Sequence, residues 1–156
     1  MYNPIQVANK FIELGIAAGK PITQMQAQKL TYIAHGVSLG HLNRPLLTDP
    51  ICAWRYGPVI PSLYNVIKHN GSNPICSPIN NSIVGEAHID PLSESLIKNV
   101  FSVYGKYNAE TLSNFTHRTG TPWTQAMNSG LTIIPDNIIE NYYKGLIRRD
   151  ANCIGL

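Results

Sequence analysis

Thr23-Gln24-Met25-Gln26 follows closely on Gly19 and Pro21, and it limits what this chain can fold into more than any other stretch. A threonine oxygen at a helix N-cap accepts the third amide, and a glutamine at that third position reaches back to the cap's own amide. Ile22 and Ala27 stand where a hydrophobic staple would close the same corner. The helix that starts here runs from about Gln24 to Leu39. Its inner stripe is Ala27, Leu30, Ile33, Ala34 and Val37, with Tyr32 and His35 on its flanks.

Helical punctuation recurs along the chain. Ile5, Ala8, Phe11, Ile12 and Ile16 share one face over residues 4–18, and Gly19 then Pro21 end that helix. Residues 61–69 read as a short helix with Leu63, Val66 and Ile67 inward and Asn70-Gly71 as its stop. Asp90-Pro91 is an N-cap and first-turn pair, and Leu92, Leu96, Val100 and Val103 carry that helix to about Tyr104. Asn108 caps a helix with Leu112 and Phe115, Thr121-Pro122 opens another that ends at Asn128-Ser129-Gly130, and a last helix spans about 137–149. Between them, "RPLL" and "ICAWRY" are expected to pair as a hairpin around Thr48-Asp49-Pro50, and "SIVGEAHI" to form one small strand in a loop. The expectation is a mainly α, compact single-domain bundle of about six helices over residues 1–156, with a small β-hairpin near residues 45–56. No βαβ rhythm is present, which argues against a nucleotide-binding sheet.

Composition narrows the function classes. Only 13% of the 156 residues are charged, about half the usual share, so much of the surface is neutral polar or apolar, as on a protein covered by a partner. The net charge of +3 comes without a clustered basic stripe of the kind that reads nucleic acid. Lys144, Arg148 and Arg149 form the nearest basic run, and Glu140 and Asp150 flank it, as at a solvated helix end. Cys52, Cys76 and Cys153 make neither a disulfide framework nor zinc-ligand spacing. The N-terminus lacks a secretion signal's basic start and apolar run, and no stretch reaches membrane-spanning length. A soluble, cytoplasmic protein without metal or cofactor is expected.

Two stretches invite a functional reading. In "AWRYGPVIP", residues 53–61, alternation puts Trp54 and Tyr56 on one face and Arg55 on the other. Gly57 permits a bend and Pro58 fixes the next backbone angle, so the segment reads as a strand end turning into the helix at Pro61. On one reading Trp54 and Tyr56 brace the core; on the other, Arg55 and a ring face belong to a recognition surface. In "LSNFTHRTGTPWTQA", residues 112–126, Trp123 either packs inward at a helix corner or shares a patch with Thr116, His117, Trp54 and Arg55. His35, near Tyr32, and His117, near Thr116, are the acid–base candidates of a hydrolase reading, but no GxSxG, HExxH or paired-carboxylate motif accompanies them.

Taken together, the motifs resemble a known family. Gln28-Lys29-Leu30 with Tyr32, then Ala53-Trp54-x-Tyr56-Gly57-Pro58-Val59-x-Pro61-x-Leu63-Tyr64, is similar to the "QKLLY…AWxYGPVxPxLY" signature of the Panacea domain, also called the SocA-like or phage-associated GepA family. Leu112-Ser113, Thr116-His117, Gly120 and Pro122-Trp123 match its "LSxxTHxxGxPW" motif, and Thr31 stands where the family has leucine. The resemblance spans about residues 5–126. It implies a small helical cytoplasmic domain of bacteria, prophages and mobile elements, paired with toxins that it neutralises. The name-giving member is an adaptor that delivers its toxin to a ClpXP-type protease.

The resulting expectation is a non-enzymatic, antitoxin-like binding module, with Trp54, Tyr56, Tyr64 and Trp123 as candidate anchors and a cognate toxin as partner. The alternatives are a regulator that binds its own operon through Arg118, Lys144, Arg148 and Arg149, and a phage or mobile-element protein that binds a host factor.

Overall fold

A computed structural model of the protein describes residues 1–80 and 88–154, the last eight of these by backbone alone. Among the described residues the chain forms seven α-helices: α1 (Pro4–Ala17), α2 (Gln24–Val37), α3 (Pro61–Ile67), α4 (Pro91–Tyr104), α5 (Ala109–His117), α6 (Pro122–Asn128) and α7 (Asp136–Ile154). One antiparallel hairpin, β1 (Cys52–Trp54) with β2 (Gly57–Val59), joins them. The mainly helical architecture with a small hairpin is the one the sequence predicts. The strand expected at "SIVGEAHI" falls largely on residues 81–87, outside the described residues.

Side-chain caps fix five of the helix starts, because the first amides of a helix have no partner within it. Thr23 and Gln26 form the expected capping box, with Gln26 N–H on Thr23 Oγ1 at 3.3 Å and Thr23 N–H on Gln26 Oε1 at 2.8 Å. Asn3 and Gln6 form a second box that the sequence reading did not identify. Asp90 accepts the Ser93 amide at 2.9 Å, Asn108 accepts the Thr111 amide at 2.8 Å, and Thr121 caps α6 through Thr124. Asp90 also ties the N-terminus to α4: the Tyr2 hydroxyl donates to it, and Arg44 reaches it at 3.1 Å. The Tyr2 bond, the Ser93 bonds and Arg44 together hold the Asp90 carboxyl well below the usual range.

Helix α2 is the axis of the fold. It packs against α1, α3, α4, α5, α7 and β2, and every residue from Ala27 to Gly36 is buried. Tyr32 and His35 therefore lie in the interior rather than on a flank. A helix surrounded on all sides has no solvent face, so an amphipathic stripe understates its burial. Two other faces need smaller corrections. In α4 the buried residues are Ser93, Leu96, Ile97 and Val100, while Leu92 and Val103 point outward. In α1, Ile16 is exposed near the last turn.

The hairpin also differs from the expected pairing. "ICAWRY" does supply a strand, but its partner is Gly57-Pro58-Val59 across a two-residue turn at Arg55-Tyr56, and "RPLL" is not that partner. Leu46 O instead accepts the Tyr2 amide at 2.7 Å, and the Thr48 amide donates to Tyr2 O at 3.0 Å. On the outer side of β1, Ala53 N–H donates to Thr132 O at 2.8 Å and Ile134 N–H to Ile51 O at 2.8 Å. A two-stranded hairpin alone is marginal in water, and this one is held from both edges.

Helix α7 closes over α2 through two glycines. After α2 the chain makes a π-turn at Ser38–Leu42 that ends at Asn43 with φ +55°. A β-carbon on Gly36 would lie 2.3 Å from the Tyr143 ring, and one on Gly40 would lie 2.9 Å from the backbone of α7. Tyr143 is itself buried and meets Tyr32 edge to face, with ring centroids 6.2 Å apart. Burial pushes both phenols well above their usual titration range. Gly36→Ala is therefore expected to destabilise the fold by about 2–3 kcal/mol, as overpacking of a rigid core does. Gly145→Ala on α7, with nothing within 4 Å of the added carbon, should leave stability unchanged or raise it by about 0.5–1 kcal/mol. Urea denaturation of the two variants beside the parent checks this.

Candidate interaction site around the hairpin

The strand β2 and the residue after it carry backbone groups that face α2. Ala53 and Pro58 are opposite one another, and the Ala53 amide points away from β2 toward Thr132. Their pair is thus of the non-hydrogen-bonded kind, and the Pro58 carbonyl also points away from β1. Proline suits that position because it has no amide to satisfy. Lys29 Nζ donates to the Pro58 carbonyl at 3.0 Å. One position earlier on the helix, Gln28 Nε2 donates to Ile60 O at 3.1 Å while Ile60 N–H donates to Gln28 Oε1 at 3.0 Å. Gln28 and Lys29 are both buried, and between them they answer the inner edge of the hairpin.

Burial has a consequence for Lys29. It lowers the ammonium's pKa to about 8, since a charged group removed from water loses hydration. Gly57 beside it has φ +119°, and a β-carbon there would lie 2.7 Å from Lys29 Nζ and 3.1 Å from His117 Cε1. Glycine is required at that position on both counts.

The C-terminal motif closes the same corner from the other side. Trp123 Nε1 donates to Trp54 O at 2.7 Å. The His117 ring lies against Trp123, with centroids 4.2 Å apart. His117 Nδ1 and Thr116 Oγ1 both donate to Ser113 O, at 2.6 and 2.7 Å. The Thr121 hydroxyl donates to Thr116 O at 2.8 Å and holds the turn into α6, where Pro122 is buried.

Trp54 and Tyr56 do not brace the core. Trp54 is 37% exposed and Tyr56 68% exposed, so of the two readings it is the one with both rings bracing the core that fails. The two-residue turn explains it: Arg55 and Tyr56 are its central positions and extend beyond the last strand pair. Trp54 meets Tyr64 edge to face at 5.1 Å, and the Arg55 guanidinium lies over the Tyr56 ring at 5.4 Å. Trp123 is half-buried, joining Trp54 and His117. The structure thus brings Trp54, Tyr64, His117 and Trp123 together and leaves Tyr32 deep in the core, apart from them.

His35 does not meet its expected partner, and His117 meets Thr116 only at 3.4 Å between Nδ1 and Oγ1, without the geometry for proton abstraction. His35 Nδ1 accepts the amides of Leu46 and Leu47, each at 3.2 Å, so the proton sits on Nε2 and is donated to Asp136 Oδ1 at 2.9 Å. This bond holds the Asp136 carboxyl below its usual range. Both ring nitrogens are engaged and Tyr32 is not a partner. At His117, Nδ1 and the Thr116 hydroxyl share one carbonyl, so the ring does not take a proton from that hydroxyl. Among the described residues no cluster of three or more His, Cys, Asp or Glu is gathered as for a metal. The sequence reading missed the roles of Gln28, Lys29 and Asp136. The Asp136 pairing spans 101 positions and leaves no local signal.

Comparison with known proteins fits this geometry. The sequence profile described as "Antitoxin SocA-like, Panacea domain" matches residues 27–124. The chain belongs to the SocA-like Panacea family. Antitoxin SocA of Caulobacter vibrioides (strain NA1000 / CB15N) is 31% identical over 151 residues, covering 88% of this chain and 80% of that protein. No solved structure matches the chain. The matched region begins at Ala27, beside the Gln28-Lys29 pair, and ends at Thr124, beside Trp123. It therefore encloses the contacts of the hairpin with Gln28, Lys29 and Trp123, while Thr132 and Ile134, which hold its outer edge, lie beyond it. Thr31, which departs from the family's leucine, is fully buried, and its hydroxyl finds no partner among the described residues.

Gln28→Leu removes both bonds to Ile60; the Ile60 carbonyl keeps the Tyr64 amide at 2.9 Å but the Ile60 amide is left unanswered, so a loss of about 1–3 kcal/mol is expected. Amide exchange at Ile60, with urea denaturation, measures it. Lys29 sets a pH dependence. Its folded pKa lies below its ordinary 10.5, so the unfolded chain holds more protons between about 8 and 10.5, and stability rises with pH across that window. Lys29→Met should flatten the rise between pH 7.5 and 9.5. The full effect corresponds to roughly 3 kcal/mol.

Proposed function

We propose that this chain acts as an antitoxin: it binds a partner toxin by direct contact and neutralises it, or passes the bound toxin to a ClpXP-type protease. The observation that carries this reading is the outward position of Trp54 and Tyr56. Two large aromatic rings within the family signature stand in solvent on a hairpin whose inner edge is clamped. Exposed aromatic side chains on a rigid support are the usual source of interface energy, since they bury area with little loss of side-chain freedom. Membership of an antitoxin family supplies the class of partner. The reading needs no covalent step, and both roles take place in the cytoplasm.

The nucleic-acid alternative finds less support. Lys144, one of the four cations it uses, is paired with Glu140 one turn away on α7. No helix among the described residues is long and apolar enough to cross a membrane, so a membrane partner is not invoked.

The test is co-expression with the product of the adjacent reading frame. Expected results are restored growth and co-elution of the two chains. Trp54→Ala with Tyr56→Ala should weaken the complex by about 2 kcal/mol or more, roughly thirtyfold in Kd, with unchanged circular dichroism. Rescue that disappears in a host lacking ClpXP assigns the adaptor route, and rescue that persists assigns direct inhibition. The absence of both growth rescue and a complex would overturn the reading.

A further inference from the structure

We infer that the hairpin face binds an acidic surface of its protein partner, so that opposite charge guides docking and the aromatic rings then anchor it. The inference rests on the antitoxin reading and specifies the partner's chemistry. A continuous series of contacts defines the face. Lys68 Nζ lies 5.9 Å from the Tyr64 ring centroid, Tyr64 meets Trp54 at 5.1 Å, Trp54 O accepts from Trp123 at 2.7 Å, and Trp123 lies against His117 at 4.2 Å. Lys68 stands at one end of this series and His117 at the other; Arg55 follows Trp54 at its middle, and Arg118 follows His117 in sequence, with its guanidinium over the Phe115 ring.

The charge on this face has one sign. Residues 50–80 and 111–135 contain Arg55, Lys68 and Arg118 and not one aspartate or glutamate. All three cations are exposed, and none forms an ion pair with the described residues. Each faces an aromatic ring instead: Arg55 over Tyr56, Lys68 over Tyr64, and Arg118 over Phe115 at 4.6 Å. The carboxylates bordering these segments in sequence, Asp49, Glu110 and Asp136, form no ion pair with the three cations among the described residues. In a chain whose net charge is only +3, this is an uneven distribution. Cations without counter-charges beside exposed rings complement a carboxylate-bearing surface, and such a field raises the rate of encounter more than it strengthens the final complex. Leu131 and Ile133, exposed on the segment bonded to β1, give the face an apolar border.

Surface-immobilised chain and the product of the adjacent reading frame test this in 50 mM and 500 mM NaCl. The parent's association rate is expected to fall at least tenfold between the two salts. The triple variant Arg55→Glu, Lys68→Glu, Arg118→Glu should associate at least tenfold more slowly at 50 mM and lose most of its salt dependence. The corresponding glutamine variant should fall between them, with circular dichroism confirming that both fold. A complex whose rates ignore salt and all three substitutions would overturn this inference and leave the antitoxin reading intact. No complex at either salt overturns the antitoxin reading and this inference with it. A labelled single-stranded oligonucleotide that binds the parent, not the triple variant, and displaces the protein partner would overturn it in favour of a nucleic-acid surface.

Discussion

Two adjacent polar side chains on a buried helix, Gln28 and Lys29, hold the rest of this structure in register. A hairpin of three residues per strand cannot bury its inner edge against α2 unless something answers the backbone groups that edge presents. Hydrocarbon cannot do so, and an unanswered buried carbonyl or amide costs as much as a lost hydrogen bond. Gln28 fits because an amide offers a donor and an acceptor at once, which matches both backbone groups of Ile60. Lys29 fits because its long stem crosses apolar packing before its ammonium reaches the Pro58 carbonyl. The depressed pKa of Lys29 is the cost of that reach.

Much of the helical frame was legible in the sequence because its starts are written locally. A cap and its partner lie within three residues, so Thr23 with Gln26, Asp90, Asn108 and Thr121 could be read directly. Faces were harder. Helix α2 looked one-sided because Gln28, Lys29, Thr31 and His35 are polar, yet all four are buried. The partners of Gln28, Lys29 and His35 are backbone groups and a carboxylate distant in the sequence, which periodicity cannot reveal. In α4 the same limit turned the inferred face by one position, since Leu92 and Val103 satisfy the helical pattern as well as Ile97 does.

The hairpin shows a different limit. The pair "RPLL" and "ICAWRY" has the composition of two strands, and the actual partner, Gly57-Pro58-Val59, has the composition of a turn. Glycine and proline weaken a strand only where its amides must pair or its side chains must pack. Here the Pro58 position needs no amide and the Gly57 position admits no β-carbon. Read without Lys29 and His117 in view, Gly-Pro signals a bend; with them, it is a strand shaped to two neighbours. The outward position of Trp54 and Tyr56 follows from the same shift in register.

That division of labour bears on how the family signature should be understood. Gln28, Lys29, Gly57, Pro58, Thr116 and Trp123 are bound to one another or to backbone, and each has a structural reason to be what it is. Arg55 and Tyr56 have none: the turn would form with many residue pairs, and a large ring 68% exposed gains nothing from folding. The buried members fix the hairpin against α2 and α6, which removes the entropy that a loose loop would lose on binding. A rigid hairpin with an aromatic and cationic tip is therefore better suited to engaging a preformed surface than to wrapping around a flexible one. The contacts that made the signature look like a core motif are what leave its remaining residues free for recognition.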